Sequence, residues 1–218
     1  MRTLILGLAG SLALAASVQA KGPLPGNPDD LSVQAVHNFA ACLADTTPKG
    51  ARELLAMDYR QDAYKKALRR FARGHDDGRC MNASVLRSND VLISGGVAER
   101  LLIETVKPDR FGALVTYDAT KPPIAARGPM EATAICVVRA EPAKTYAIFQ
   151  TEPTSADEAH AMQAIAPSLM NCVKAGQKVT LNKPGLRALL ALAAYRLTQP
   201  DPVVAADAKP MNRSLVNQ

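Results

Sequence analysis

Apolar residues in this chain recur mostly at intervals of three and four, the spacing of one helix face, and seldom at two. Val33, Val36, Ala40 and Leu43 keep that spacing behind Asp29 and Asp30, which suit a helix start. Pro48 falls in the turn that follows and opens a second helix over residues 49–57. A third is expected from Asp62 to Arg73, burying Ala67, Leu68 and Phe71. A short extended piece follows at residues 85–87, and then Ser88 or Asn89 caps a last helix running toward Leu102.

The same order recurs further along. A shift of 94 residues lays Cys136 on Cys42 and Pro142 on Pro48. At that offset Ile148 meets Leu54, Phe149 meets Leu55, Met162 meets Leu68 and Ile165 meets Phe71. A two-residue gap then brings Cys172 onto Cys80, and a further length difference of about four residues brings the tail Ala194-Tyr195-Arg196-Leu197 onto Ala98-Glu99-Arg100-Leu101. Pro129 is placed for the first turn of the second opening helix. Asn182 and Pro184 start a closing helix whose stripe is Leu186, Leu189, Leu190, Ala193 and Leu197. The expectation is a mainly α chain of two tandem helical repeats, at 31–106 and 129–198. A short β ribbon is allowed where the extended pieces 85–87 and 179–181 can pair. Between the repeats, residues 107–128 are expected to hold a strand at 111–117 and a linker around Lys121-Pro122-Pro123. Residues 21–30 are rich in Gly and Pro and are expected to be a flexible segment, and 199–218 lack any apolar period and are expected to be a disordered tail.

The start of the chain has its own pattern. Arg2 precedes an apolar run from Leu4 to Ala16, closed by Val18-Gln19-Ala20. A basic residue, an apolar stretch and small residues at minus three and minus one describe a signal peptide at 1–20, cleaved after Ala20. The run falls short of the roughly 20 residues a spanning helix needs. No cysteine follows it for lipoprotein processing. The mature chain is expected to be periplasmic or secreted, with no transmembrane helix. Its four cysteines then read as two disulfides. Four cysteines allow three connectivities. The repeat selects Cys42–Cys80 and Cys136–Cys172, one bridge within each copy.

Composition narrows function by exclusion. Tryptophan is absent and aromatics make up 4% of the chain, too few for an aromatic platform that stacks sugars or bases. The net charge of +6 tolerates anionic partners without demanding them. Nucleic acid is not an expected partner. No Gly-x-Ser-x-Gly, Ser-x-x-Lys or His-Glu-x-x-His occurs, and the cysteines are better used in bridges than in catalysis. No catalytic residue, metal site or cofactor is assigned.

Four short patterns bear on chemistry. Asp157-Glu158-Ala159-His160 spells a helicase signature, but no Gly-rich phosphate loop accompanies it. Ser155 through Glu158 reads instead as a capping box, so no nucleotide is expected. His75-Asp76-Asp77 offers adjacent metal or acid–base groups, which rarely converge on one ion unaided; a polar loop is the simpler reading. His37 has no acidic neighbour in sequence and reads as structural or surface. Ser94-Gly95-Gly96 sits inside an amphipathic stretch, where close packing explains the glycines better than an oxyanion site does.

Charge divides the two copies. Residues 60–80 carry seven Lys or Arg against three Asp, whereas 154–172 carry Asp157 and Glu158 and no Lys or Arg. Lys65, Arg69 and Arg73 recur at fours with Lys66 and Arg70 beside them, forming one cationic helix face. A solvated face is the simplest use of such a run. Its sharper use is docking on an anionic membrane surface or envelope component.

The Cys-x5-Pro offsets and the ending from Leu186 to Leu197 resemble a set of small uncharacterised exported proteins of sphingomonad-type bacteria. The resemblance covers residues 33–198. It implies a bacterial periplasmic or secreted setting and no particular activity. The expected function is a non-enzymatic structural or interaction module of the cell envelope, with the basic helix of the first repeat as its contact. The alternative is a small periplasmic hydrolase or ligand-binding protein with a site between the repeats.

Overall fold

The structure, a computed structural model, describes residues 29–73, 79–80, 88–120, 123–176 and 181–199. Among these residues the chain forms nine α-helices and no strand. The signal peptide expected at 1–20, His75-Asp76-Asp77, the extended pieces expected at 85–87 and 179–180, and the tail from 200 onward lie outside the described residues.

The first four helices are α1 (Asp30–Thr46), α2 (Pro48–Ala56), α3 (Asp62–Arg73) and α4 (Asp90–Thr105). After α5 (Pro108–Val115) the order continues with α6 (Pro129–Ala140), α7 (Pro142–Phe149), α8 (Ala156–Cys172) and α9 (Lys183–Thr198). Their starts follow local chemistry. Asp29 caps α1 by accepting from the Ser32 amide at 2.9 Å, Asn89 caps α4 from the Val91 amide at 2.9 Å, and Asn182 caps α9 from the Gly185 amide at 2.9 Å. Prolines open α2, α5, α6 and α7 in the first turn, where a missing N–H costs nothing.

Two helices make the centre. α9 is buried at every position from Arg187 to Tyr195, and α4 at every position from Ser94 to Glu99. They pack on each other, with α1 against α4 and α6 against α9. The glycine pair in α4 makes this possible. A Cβ on Gly95 would stand 2.4 Å from the Ala188 Cα, and one on Gly96 would stand 2.7 Å from the Ala40 Cβ. Neither contact is sterically allowed. Gly95 therefore admits the α9 backbone and Gly96 admits α1, as expected for close packing.

Both disulfides close as the repeat implied. Cys42–Cys80 spans a sequence separation of 38 and Cys136–Cys172 one of 36. Loops of this size restrict the unfolded chain enough to stabilise the fold by roughly 4 kcal/mol each in the chain-entropy model. Two such bridges suit an oxidising, non-cytoplasmic setting. No helix among the described residues is long and apolar enough to cross a membrane. Of the residues aligned by the 94-residue shift, Leu54, Leu55, Leu68, Ile148, Phe149, Met162 and Ile165 are buried, and Phe71 packs on the core half-buried.

One expectation is overturned. Residues 111–117 are not a strand: α5 covers most of that stretch, so the segment expected to be a linker is partly helical. Valine, threonine and tyrosine gave it β character, but Phe111 and Val115 are four apart and both buried. Phe111 lies against Tyr146 of α7 with ring centroids 5.1 Å apart. Tyr146 in turn donates to the Val106 carbonyl at 2.7 Å, holding the entry to α5. Packing against α7 and α9 decides the conformation.

Candidate functional site

Three places hold enough polar chemistry to consider. The first is a buried charge cluster joining α1, α4, α8 and α9. Arg187 of α9 has a side chain only 5% exposed, and its carboxylate partners Glu99 and Glu158 are 3% and 4% exposed. Arg187 Nε donates to Glu99 Oε2 at 2.9 Å and Nη2 to Glu99 Oε1 at 2.7 Å, a two-pronged pair. Nη1 donates to Glu158 Oε1 at 2.8 Å and to Thr151 Oγ1 at 3.3 Å, while Nη2 also reaches the Thr151 carbonyl at 2.8 Å. The guanidinium has five N–H groups, and each has an oxygen. His37 Nε2 lies 3.0 Å from Glu99 Oε1. The acidic partner that sequence did not show for His37 is thus supplied by α4.

Burial works against ionising Glu99, yet hydrogen bonds from Arg187 and His37 hold its carboxyl below the usual carboxylate range. For Arg187 the same burial is outweighed by Glu99 and Glu158, which hold its guanidinium above its ordinary value. A histidine against a carboxylate can serve as a general base. Here the carboxylate is already committed to Arg187, and the adjoining cavity of about 30 Å³ has room for little more than a water. The cluster is a structural tie.

It also explains the letters at 157–160. Ser155 Oγ accepts from the Glu158 amide at 3.0 Å, forming the expected cap. The return bond lands one residue early: Glu158 Oε2 accepts from the Thr154 amide at 2.7 Å. Thr154 itself has φ 69°, an unfavourable value for a β-branched residue, held by that bond and by Gln34 Nε2 donating to its hydroxyl at 2.9 Å. Asp157 and His160 are exposed. Ser94 is likewise occupied, donating to the Asp90 carbonyl at 2.5 Å and bonded to the Tyr64 hydroxyl.

The second place is the basic helix. α3 docks through Tyr64 and Leu68, which are buried with Leu54 of α2 in a small cluster of their own. Lys66, Arg69, Arg70 and Arg73 are exposed. Lys65 is half-buried and pairs with Asp62 at 3.1 Å. The other four make no ion pair among the described residues. Arg70 and Arg73 complement the negative end of the helix; Lys66 and Arg69 have no such role.

The third place is a cleft of about 720 Å³ where α4, α6 and α9 begin. Tyr59 and Arg60 border it from the turn before α3, Arg127 and Gly128 from the segment before α6, and Met130, Asn182 and Leu189 from α6 and α9 with its cap. Burial, with the Glu131 carboxylate nearby, pushes the Tyr59 phenol up to about 12, so it stays neutral. Sequence reasoning did not single out Arg127. Its one local signal was a cation directly before a Gly-Pro helix start. Arg187 had a clearer one, being a charge on the face shared with Leu190, Ala191 and Ala194. Among the described residues no group of three or more His, Cys, Asp or Glu could hold a metal ion. Comparison of the chain with protein-family models, with curated proteins and with solved structures gives no match to any of them.

Proposed function

We propose that this chain is a non-enzymatic module of the bacterial cell envelope, built from two copies of one helical unit and docked on an anionic surface through α3. The N-terminal apolar run directs export and is removed after Ala20. The two disulfides support a setting outside the cytosol. The observation that carries the docking reading is the exposed row Lys66, Arg69, Arg70 and Arg73, free of carboxylate partners among the described residues, on a helix whose opposite face is buried. In the second copy the matching slot is α8, which has no Lys or Arg and places Glu158 in the core. The unit therefore folds without a basic helix there. The cations of α3 are free to serve contact with phosphate or carboxylate groups on a surface.

Vesicle flotation tests this. Mature protein with intact disulfides is expected to float with vesicles containing phosphatidylglycerol at low salt, and to be released as salt screens the contact. Changing Lys65, Lys66, Arg69 and Arg70 to Gln should abolish flotation while leaving the far-ultraviolet circular dichroism unchanged. Equal retention of the variant and the natural chain, or retention indifferent to salt, ends the docking reading.

A further inference from the structure

The cleft at the start of α6 contains a guanidinium that pairs with no carboxylate among the described residues. Three arginines and two carboxylates gather there. Arg60 forms a two-pronged pair with Asp58, Nε to Oδ1 at 3.0 Å and Nη2 to Oδ2 at 2.7 Å. Arg196 Nη1 donates to Glu131 Oε1 at 2.5 Å, and Glu131 Oε2 is taken by the Arg127 amide. Both carboxylates are thereby committed. Among the described residues the Arg127 guanidinium has the Ala56 carbonyl, at 3.1 Å from Nη2, and the face of Tyr59, 5.9 Å from its carbon to the ring centroid. It makes no ion pair among the described residues. Burial, then the neighbouring Arg196, press its guanidinium below its ordinary value, and the opposing pull of Glu131 and Asp58 does not make this up, so an anion beside it would be favoured.

The surroundings add to this. α4, α6 and α9 all begin at the cleft, presenting the positive ends of their backbones. Asn89 and Asn182 cap two of them. α6 starts from Gly128, which has no side chain to do so. The rest of the wall is apolar: Val91, Leu92, Met130, Leu181 and Leu189. A volume of about 720 Å³ lies within the range of small-molecule sites, roughly 300–1,000 Å³.

We infer that the cleft between the two helical units binds a small amphipathic monocarboxylate, its carboxylate on Arg127 and its apolar body over Val91, Met130 and Leu189. A guanidinium fork matches a carboxylate edge with two parallel hydrogen bonds. The single surplus charge matches one negative charge and leaves a phosphate dianion half-compensated. Among the described residues the wall holds no second guanidinium without a carboxylate partner. The cleft and the α3 face use different residues, so either can fail without the other.

Calorimetric titration of the mature, disulfide-intact chain with 4-butylbenzoate tests the site. Saturable one-to-one binding is expected, with the neutral amide of the same acid at least tenfold weaker. Arg127→Gln should weaken the acid at least tenfold and leave the amide unchanged. Val91→Phe, which fills the cleft without touching Arg127, should weaken both, and covers the case in which Arg127→Gln fails to fold. Lys66→Gln on α3 should change nothing. Absence of saturable binding, equal affinity for acid and amide, or unaltered affinity in Arg127→Gln or Val91→Phe overturns the site. Tighter binding of 4-butylphenyl phosphate than of the acid overturns the monocarboxylate assignment.

Discussion

At the seam between α4 and α9, Arg187 gives each of its five N–H groups to an oxygen and faces two carboxylates. At the cleft beside α6, Arg127 gives its guanidinium to one backbone carbonyl and one aromatic face. The same side chain thus performs two kinds of work. Full burial forces complete pairing, because an ionised group left unpaired in the core would cost several kcal/mol. Half-burial relaxes that demand and permits a charge to stand uncompensated. A saturated arginine can bind nothing further, so Arg187 holds elements together. An unsaturated one retains the capacity to bind, and Arg127 lies on the wall of a cavity.

The largest break in this comparison comes from the seam. Arg187→Met leaves Glu99 and Glu158 buried without their cation, and should lower the unfolding free energy by about 3–5 kcal/mol. Arg187→Lys keeps the charge but offers three N–H groups from a point instead of five from a fork, so it should recover only part of the loss. Urea unfolding measures both. A loss under about 1 kcal/mol for Arg187→Met would show that the cluster is not a structural tie.

The next effect is in pH. Glu99 is held below the usual range in the folded chain, so the unfolded chain binds its proton at higher pH. Its contribution is therefore present above the unfolded value, about 4.3, and is lost as pH falls through the lower folded value. Glu99→Gln should be less stable at neutral pH and should lose less on acidification over that window. Stability curves of variant and natural chain that run parallel from pH 6 to pH 3 would contradict the ion pair.

Much of the fold was legible because its signals are local. Asp29, Asn89 and Asn182 each sit three or fewer residues from the amides they cap, and the prolines act on their own helices. The bridges were legible for another reason: the near-equal spacings of Cys42–Cys80 and Cys136–Cys172 selected the pairing that the structure shows. α5 was misread because its β-prone residues are helical through contacts with α7 and α9, which no short window contains. The seam was missed for the same reason, since Glu99 and Arg187 stand on different helices. Their only trace was a charge set on each apolar face. The cleft requires three helix starts to converge, a purely tertiary fact.

The smallest effect sharpens the comparison most. Arg127→Gln removes a hydrogen bond to a carbonyl and a cation over a ring, each worth about 1 kcal/mol or less at a half-exposed site. It also relieves the repulsion from Arg196 and removes the attraction of Glu131 and Asp58, two changes of opposite sign. The net loss of stability should be about 1 kcal/mol or less, several-fold below that of Arg187→Met, measured by the same urea unfolding. A loss as large as at Arg187 would make Arg127 a second structural tie, and its missing carboxylate would then need another explanation. A small loss, together with lost binding of the carboxylate probe, would separate the two arginines by what they do: one spends its hydrogen bonds inside the fold, the other keeps them for a ligand.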